Sequence, residues 1–172
     1  MIIILLADGF EELEALTPVD VLRRELPDKK TVTVGVTGRT VTGTHGIKVE
    51  ADITAEELDL SAVEAAIFPG GMPGACNLDA SPVTDKIIKR VNENGGILGA
   101  ICAAPLVLGR RGLLAGKEAT CFPGFEGELF GATVLDRDVV RSANIITARN
   151  FRTSFEFADT LVKAIKTPAA VE

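Results

Sequence analysis

The chain has 172 residues, near the usual size of one domain, with 47% hydrophobic and 24% charged residues, as in an ordinary globular protein. Its formal net charge of −6, with no Lys/Arg run, argues against nucleic acid as the main partner, because phosphate binding needs a basic face. The longest uncharged stretch, Asn94 to Gly109, is too short to span a bilayer and is broken by Gly and Pro, so no membrane partner is expected.

The opening apolar run, Ile2–Ala7, lacks a basic flank and is too short for a signal-peptide core, so the expected location is cytoplasmic. The three cysteines, Cys76, Cys102 and Cys121, are odd in number and lack CxxC spacing, which does not fit a disulfide framework. His45 is the single histidine, so no metal site is expected, and nothing calls for a cofactor.

In chain order, Ile2–Ala7 reads as a strand buried on both faces and ends at Asp8-Gly9. Thr17-Pro18-Val19-Asp20 reads as a helix start, with Thr17 as N-cap and Pro18 as first helical residue, running to about Leu26. Glu11–Leu16 then becomes a separate turn or a kinked first segment. Thr31–Val36 alternates Thr and Val as a strand, and Gly38–Asp52 reads as a hairpin excursion. Thr54–Glu57 is a capped helical turn. Val63–Phe68 is a buried strand running into Pro69-Gly70-Gly71-Met72-Pro73-Gly74. Pro82–Asn92 is an amphipathic helix with a Gly-rich stop. Ile97–Ile101 is a strand, followed at once by Cys102 and a helix over Ala103–Arg111. Ala119–Cys121, Thr133–Leu135, Val139–Arg141 and Ile145–Ala148 are short strands. Ser154–Lys166 is the last helix, with Phe155, Ala158, Leu161, Val162 and Ile165 on one face. No internal repeat or linker is evident, so residues 1–172 read as a single domain. The alternation of strands and helices predicts an α/β fold with a mostly parallel central sheet covered on both faces.

In such sheets, sites form at the carboxyl ends of the strands, here at Asp8–Leu16, Pro69–Gly74 and the turn at Cys102. Cys102 lies where free backbone N–H groups and a positive helix end would stabilise a thiolate. The small neighbours Ala100, Ala103 and Ala104 leave room for a sharp nucleophile-elbow turn. A buried, inert cysteine is the competing reading. Gly70 and Gly71, with the Ala103 N–H, are candidates for an oxyanion hole; an ordinary turn is the alternative. Glu14 directly precedes the Thr17-Pro18 break. A carboxyl beside a thiolate would stay protonated and could donate or shuttle a proton, although a solvated acid is the default for such a position. Cys76 and Cys121 have no feature that would activate them.

At these residues the chain resembles the ThiJ/PfpI superfamily, and within it the parkinsonism-associated deglycase subgroup with its YajL-like bacterial members. The matching stretches are Gly9–Glu14, Pro18–Arg24, Pro69-Gly70-Gly71, Ala100–Pro105 and Thr153–Ala158. They are spread over nearly the whole chain in the family's order. The resemblance implies a flavodoxin-like three-layer sandwich and a homodimer. It implies Cys102 as nucleophile and Glu14 as its protonated partner, with Gly71 and Ala103 supplying oxyanion N–H groups. The roles it implies are glyoxalase III-type conversion of methylglyoxal to lactate, deglycation, and redox-sensing chaperone action through cysteine oxidation. One departure is clear: Phe122 stands where many relatives carry a histidine. His45 lies in a loop that, by the resemblance, approaches the partner's site across the dimer, so action in trans is one expectation; a surface loop histidine is the other.

Three functions follow as expectations. The first is a Cys102-dependent enzyme acting on a small reactive carbonyl compound. The second is a redox-sensing stress chaperone with little catalysis. The third, disfavoured by the missing histidine, is a cysteine amidase or peptidase.

Overall fold

The computed structural model describes residues 1–167. The first apolar run forms strand β1 (Ile2–Leu6), in which every residue is buried. It is followed by helix α1 (Glu12–Glu25), strand β2 (Thr31–Gly35), the hairpin strands β3 (Thr40–Thr42) and β4 (Lys48–Glu50), and the short β5 (Ile53–Thr54). Next come β6 (Ala65–Phe68), α2 (Gly74–Ala80), α3 (Pro82–Glu93), β7 (Ile97–Ile101) and α4 (Pro105–Gly109). The chain continues through β8 (Glu118–Ala119), β9 (Thr133–Val134), β10 (Val139–Ser142), β11 (Ile145–Ala148) and α5 (Ser154–Lys166).

Seven strands form the main sheet in the order β10-β11-β7-β6-β1-β2-β5. All neighbours are parallel except the β10–β11 hairpin at one edge. Because successive strand residues face opposite sides, the continuous apolar strands feed two cores. Ile3, Leu5, Ala66 and Phe68 pack on the side of α2, α3 and α4, with Leu78, Ile87 and Leu106. Ile2, Ile4, Leu6 and Ile67 pack against α1 and α5, with Ala15, Leu22, Phe157 and Leu161. Each such fully buried side chain contributes roughly 1.5–3 kcal/mol of transfer free energy. The result is a three-layer α/β sandwich of the flavodoxin-like kind. No helix among the described residues is long and apolar enough to cross a membrane.

Three elements differ from the sequence reading. The helix expected to start at Pro18 starts at Glu12 and carries Pro18 in its interior. Glu11 caps it, its Oε2 accepting from the Glu14 N–H at 2.8 Å. An internal proline costs about 3 kcal/mol; burial of Ala15, Pro18, Val19 and Leu22 on one face outweighs that cost. Gly74–Ala80, a stretch to which the sequence reading assigned no element beyond the loop ending at Gly74, is helical. The helix after Cys102 is shorter than expected, Pro105–Gly109 rather than Ala103–Arg111. Beyond Gly109 the chain goes into turns, with Arg110 and Arg111 tied to Asp79, Asp85 and Glu128. On α5 the inward face is as expected except that Phe157 is buried and Phe155 is 71% exposed, because Phe155 sits in the first turn, outside the stripe that meets the sheet.

Strands β1, β6 and β7 are adjacent in the sheet, so the segments leaving their carboxyl ends lie side by side. The β3–β4 hairpin folds over the same edge. Gly9 N–H donates to the Thr42 carbonyl, Thr44 N–H to the Phe10 carbonyl, and Thr42 N–H to Asp8 Oδ1.

Candidate active site

Cys102 follows β7 with φ +64°, in the left-handed region that non-glycine residues rarely occupy. Main-chain bonds hold it there: its N–H donates to the Ala148 carbonyl at 2.9 Å, and its carbonyl accepts from Phe122 N–H at 2.8 Å. The strained turn aims the sulfur out of the sheet edge, where the N–H groups of Ala103 and Gly71 interact with it. Gly71 has φ +84°, and a Cβ there would stand 2.5 Å from Glu11 N. Only glycine fits that approach.

Glu14, in the first turn of α1, is fully buried. Its Oε2 accepts from Gly70 N–H at 3.0 Å, while its buried Oε1 makes no well-formed hydrogen bond. The carboxyl interacts with the Cys102 thiol. Burial pushes the Glu14 pKa up to about 8, helped by the Glu11 charge and opposed by the Cys102 and Gly70 contacts. A first-turn position in a helix favours a carboxylate by only about 0.3–1 kcal/mol. Leaving an ionised oxygen dry and unpaired costs more than that, so burial wins and Glu14 is neutral at pH 7.

The sulfur departs from the simple expectation of a depressed pKa. Burial pushes the Cys102 thiol up, as does the charge of Glu14 when ionised; Ala103 and Gly71 N–H pull it down. Sulfur and carboxyl therefore titrate as a coupled pair. A proton on Glu14 removes the repulsion, so one negative charge is tolerated in the pair where two are not.

Of the three backbone candidates for the oxyanion hole, Gly70 is already committed to Glu14, leaving Gly71 and Ala103. His45 lies on the β3–β4 turn. Its Nδ1 is 2.7 Å from Glu12 Oε2, and its N–H donates to Glu12 Oε1 at 2.8 Å. The Glu12 hydrogen bond and charge raise the His45 pKa. Burial would raise Glu12, but its bonds to His45 outweigh that and leave it lowered. Within one chain, His45 already borders the cavity that holds Cys102. Glu11, Glu12 and His45 place one donor atom each within 4.8 Å of one another. Within that group His45 and Glu12 are hydrogen-bonded directly, while Glu11 Oε1 lies 3.9 Å from His45 Nδ1.

The cavity over the pair has a volume of about 610 Å³. Glu14 and Cys102 line it together with Glu11, Glu12 and His45, and Leu13, Ile47, Phe122 and Phe151 complete its wall. Phe122, named in the sequence only as a departure from the family pattern, lines the pocket. Leu13, Ile47 and Phe151 escaped the sequence reading. Phe151 follows the carboxyl end of β11, so the strand-end rule applied to that strand would have found it. Cys76 lies on α2, away from this wall. Cys121 is buried, lines a separate cavity of about 310 Å³ with Arg149, and is pushed up to about 11 by burial and Glu126, against the pull of Arg149.

A cysteine elbow and a buried carboxyl at the carboxyl edge of a doubly wound sheet define a class of flavodoxin-like domains with a candidate nucleophile site. Residues 1–164 match the model of the DJ-1/PfpI family, and the chain belongs to that family. It is similar to Protein DJ-1 homolog B of Arabidopsis thaliana, 37% identical over 95% of this chain and 38% of that protein. The chain thus spans about two fifths of the length of that relative and of its homolog A. It is 31% identical to the glutathione-independent glyoxalase DJR-1.2 of Caenorhabditis elegans, over 97% of this chain and 89% of that protein. Among solved structures it is similar to a cysteine-to-alanine variant of a DJ-1 superfamily protein from Salmonella typhimurium. That match has TM-score 0.89 and 32% identity, over 98% of this chain and 91% of the other. The oxidised Toxoplasma gondii DJ-1 matches with TM-score 0.89 and 29% identity, over 95% of this chain and 89% of that one.

Proposed function

We propose that the chain is a cysteine-dependent enzyme acting on small reactive carbonyl compounds, of the glyoxalase or deglycase kind. The observation that carries this reading is the strained Cys102 facing a neutral, buried Glu14 within one cavity. Similarity to a glyoxalase of Caenorhabditis elegans and to a deglycase of Pyrococcus abyssi supports it.

With an α-oxoaldehyde, the Cys102 thiolate adds to the aldehyde carbon: a C–S bond forms, the C=O π pair moves to oxygen, and a proton neutralises the alkoxide. Gly71 and Ala103 N–H groups are the donors at hand for that oxygen. Glu14, as carboxylate after giving its proton, takes the proton from the former aldehyde carbon and returns it at the ketone carbon, while the hydroxyl on the first carbon gives its proton to water as its C=O forms and the second oxygen takes one from water. The first carbon is thereby oxidised to a thioester and the second reduced to an alcohol, with no external electron acceptor. Water then cleaves the C–S bond, giving the hydroxy acid and the free thiol. The test is lactate formation from methylglyoxal, expected in the wild type and lost in Cys102→Ala and Glu14→Gln. Turnover that survives in Cys102→Ala dismisses the mechanism.

The donor set around the sulfur favours a second reading, a redox sensor of the stress-chaperone kind. Two N–H groups and a carboxyl O–H are suited to hold a sulfinate. Dilute peroxide is then expected to add oxygen to Cys102 before Cys76 or Cys121, by peptide mass mapping. A homodimer, as the family resemblance implied, is also proposed, and sedimentation checks it.

A further inference from the structure

The wall of the Cys102 cavity carries a pattern that the thiol chemistry does not require. Leu13 is 52% exposed, Ile47 54%, Phe122 42% and Phe151 41%, and all four face one cavity. Large apolar side chains left in water around a nucleophile mark a binding surface. At 610 Å³ the cavity is far larger than a three-carbon aldehyde needs, and falls in the range of sites for ring-bearing ligands. Phe122 and Phe151 come from separate segments, after β8 and after β11. Neither is spent on the core.

Charge is arranged just as unevenly. Glu11 and Glu12 line the cavity, and no Lys or Arg among the described residues does. His45 is the one basic group there, and it is hydrogen-bonded to Glu12. Arg152 lies nearby, but its guanidinium stacks over the Phe151 ring, 5.0 Å from the centroid, and is not part of the wall. An incoming anion therefore meets carboxylates and a developing thiolate, while a neutral molecule meets an apolar wall.

We propose that this cavity selects neutral electrophiles bearing an aromatic or bulky apolar body over small or anionic ones, with Phe122 and Phe151 binding that body. The proposal rests on the reading of Cys102 as a nucleophile and adds the substrate class: α-oxoaldehydes bearing an aryl or bulky alkyl group rather than a methyl or a carboxylate. The body stacks on the two rings while the carbonyl carbon meets the sulfur at the cavity floor, where the C–S bond forms as described above.

The test is the rate of modification at residue 102 of the full chain, followed by peptide mapping, so that no turnover is needed. The probes are N-phenylmaleimide against N-methylmaleimide and iodoacetamide against iodoacetate, each rate divided by that of glutathione under the same conditions. The phenyl-to-methyl ratio is expected to be about tenfold above that of glutathione, the scale of one good aromatic contact. The amide-to-acetate ratio is expected to be raised severalfold. Phe122→Ala and Phe151→Ala should each bring the phenyl ratio down, whereas Phe122→Tyr and Phe151→Tyr should preserve it. Ratios equal to those of glutathione, or a phenyl ratio that survives both alanine variants, overturn the proposal. A Cys102 that reacts with none of the probes sinks the nucleophile reading along with it. Intact ratios without lactate production support the selectivity and remove only the glyoxalase step.

Discussion

Glu14 and Cys102 both crowd the space where a Gly70 side chain would stand: a methyl group there would lie 2.6 Å from Glu14 Oε2 and 2.7 Å from Cys102 Cβ. Gly70 is thus the spacer that lets a carboxyl from α1 and a sulfur from the end of β7 share one site, and its N–H orients the carboxyl. Gly70→Ala is expected to push them apart. Backbone shifts of that kind cost about 1–3 kcal/mol, and alkylation of Cys102 should slow at least tenfold. Denaturant titration and alkylation kinetics check both, and a variant with wild-type rates refutes the spacer role.

The coupled pair makes a pH prediction. Below pH 8, Glu14 is protonated and the Cys102 alkylation rate rises with pH as thiolate forms. Above about 8, Glu14 ionises, its charge pushes the thiol up, and the rate should climb less steeply. Glu14→Gln has no carboxyl to ionise, so its profile should lose that bend. A bend that persists in the variant assigns it to another group.

Stability should carry the same signature with a defined sign. Folding raises Glu14 from the ordinary 4.5 to about 8, so between those values the unfolded chain binds fewer protons than the folded one. Stability present at low pH is therefore lost as pH rises from about 4.5 to 8, by roughly 1 kcal/mol per pH unit from this group, and levels off above. Wild type minus Glu14→Gln, measured by denaturant melts from pH 4 to 9, should trace that fall. A difference that is constant with pH rules it out.

His45 reaches the Cys102 cavity in its own chain through Glu12. Mixing His45→Ala chains with Cys102→Ala chains is therefore expected to restore no turnover beyond that of His45→Ala alone. Recovery in the mixed dimer would place the working imidazole in trans.

Asp79 on α2 accepts from both Arg110 and Arg111, at 2.6 and 2.5 Å, and is mostly shielded from water. Asp79→Ala leaves the half-buried Arg111 short of a partner and should cost about 1–3 kcal/mol, read as a lower midpoint in urea. Unchanged stability would mark the cluster as solvent-screened.

Much of this was legible in the residues themselves. Continuous apolar runs such as Ile2–Leu6 and Ile97–Ile101 specify buried parallel strands, because only a strand covered on both faces tolerates them. The strand-end rule then marks Glu14, Gly70, Gly71 and Cys102 as neighbours. Local signals misled where burial outvoted them: Pro18 reads as a helix start, yet α1 runs through it because its apolar face packs against α5. What only the tertiary structure decided is electrostatic and spatial. A side chain's pKa depends on how much water surrounds it, so the neutrality of Glu14 and the elevated thiol of Cys102 follow from the packing of three elements around one glycine. The pairing of His45 with Glu12 and the convergence of Leu13, Ile47, Phe122 and Phe151 on one wall have the same origin: long-range closure brings together residues whose local sequence carries no sign of the others.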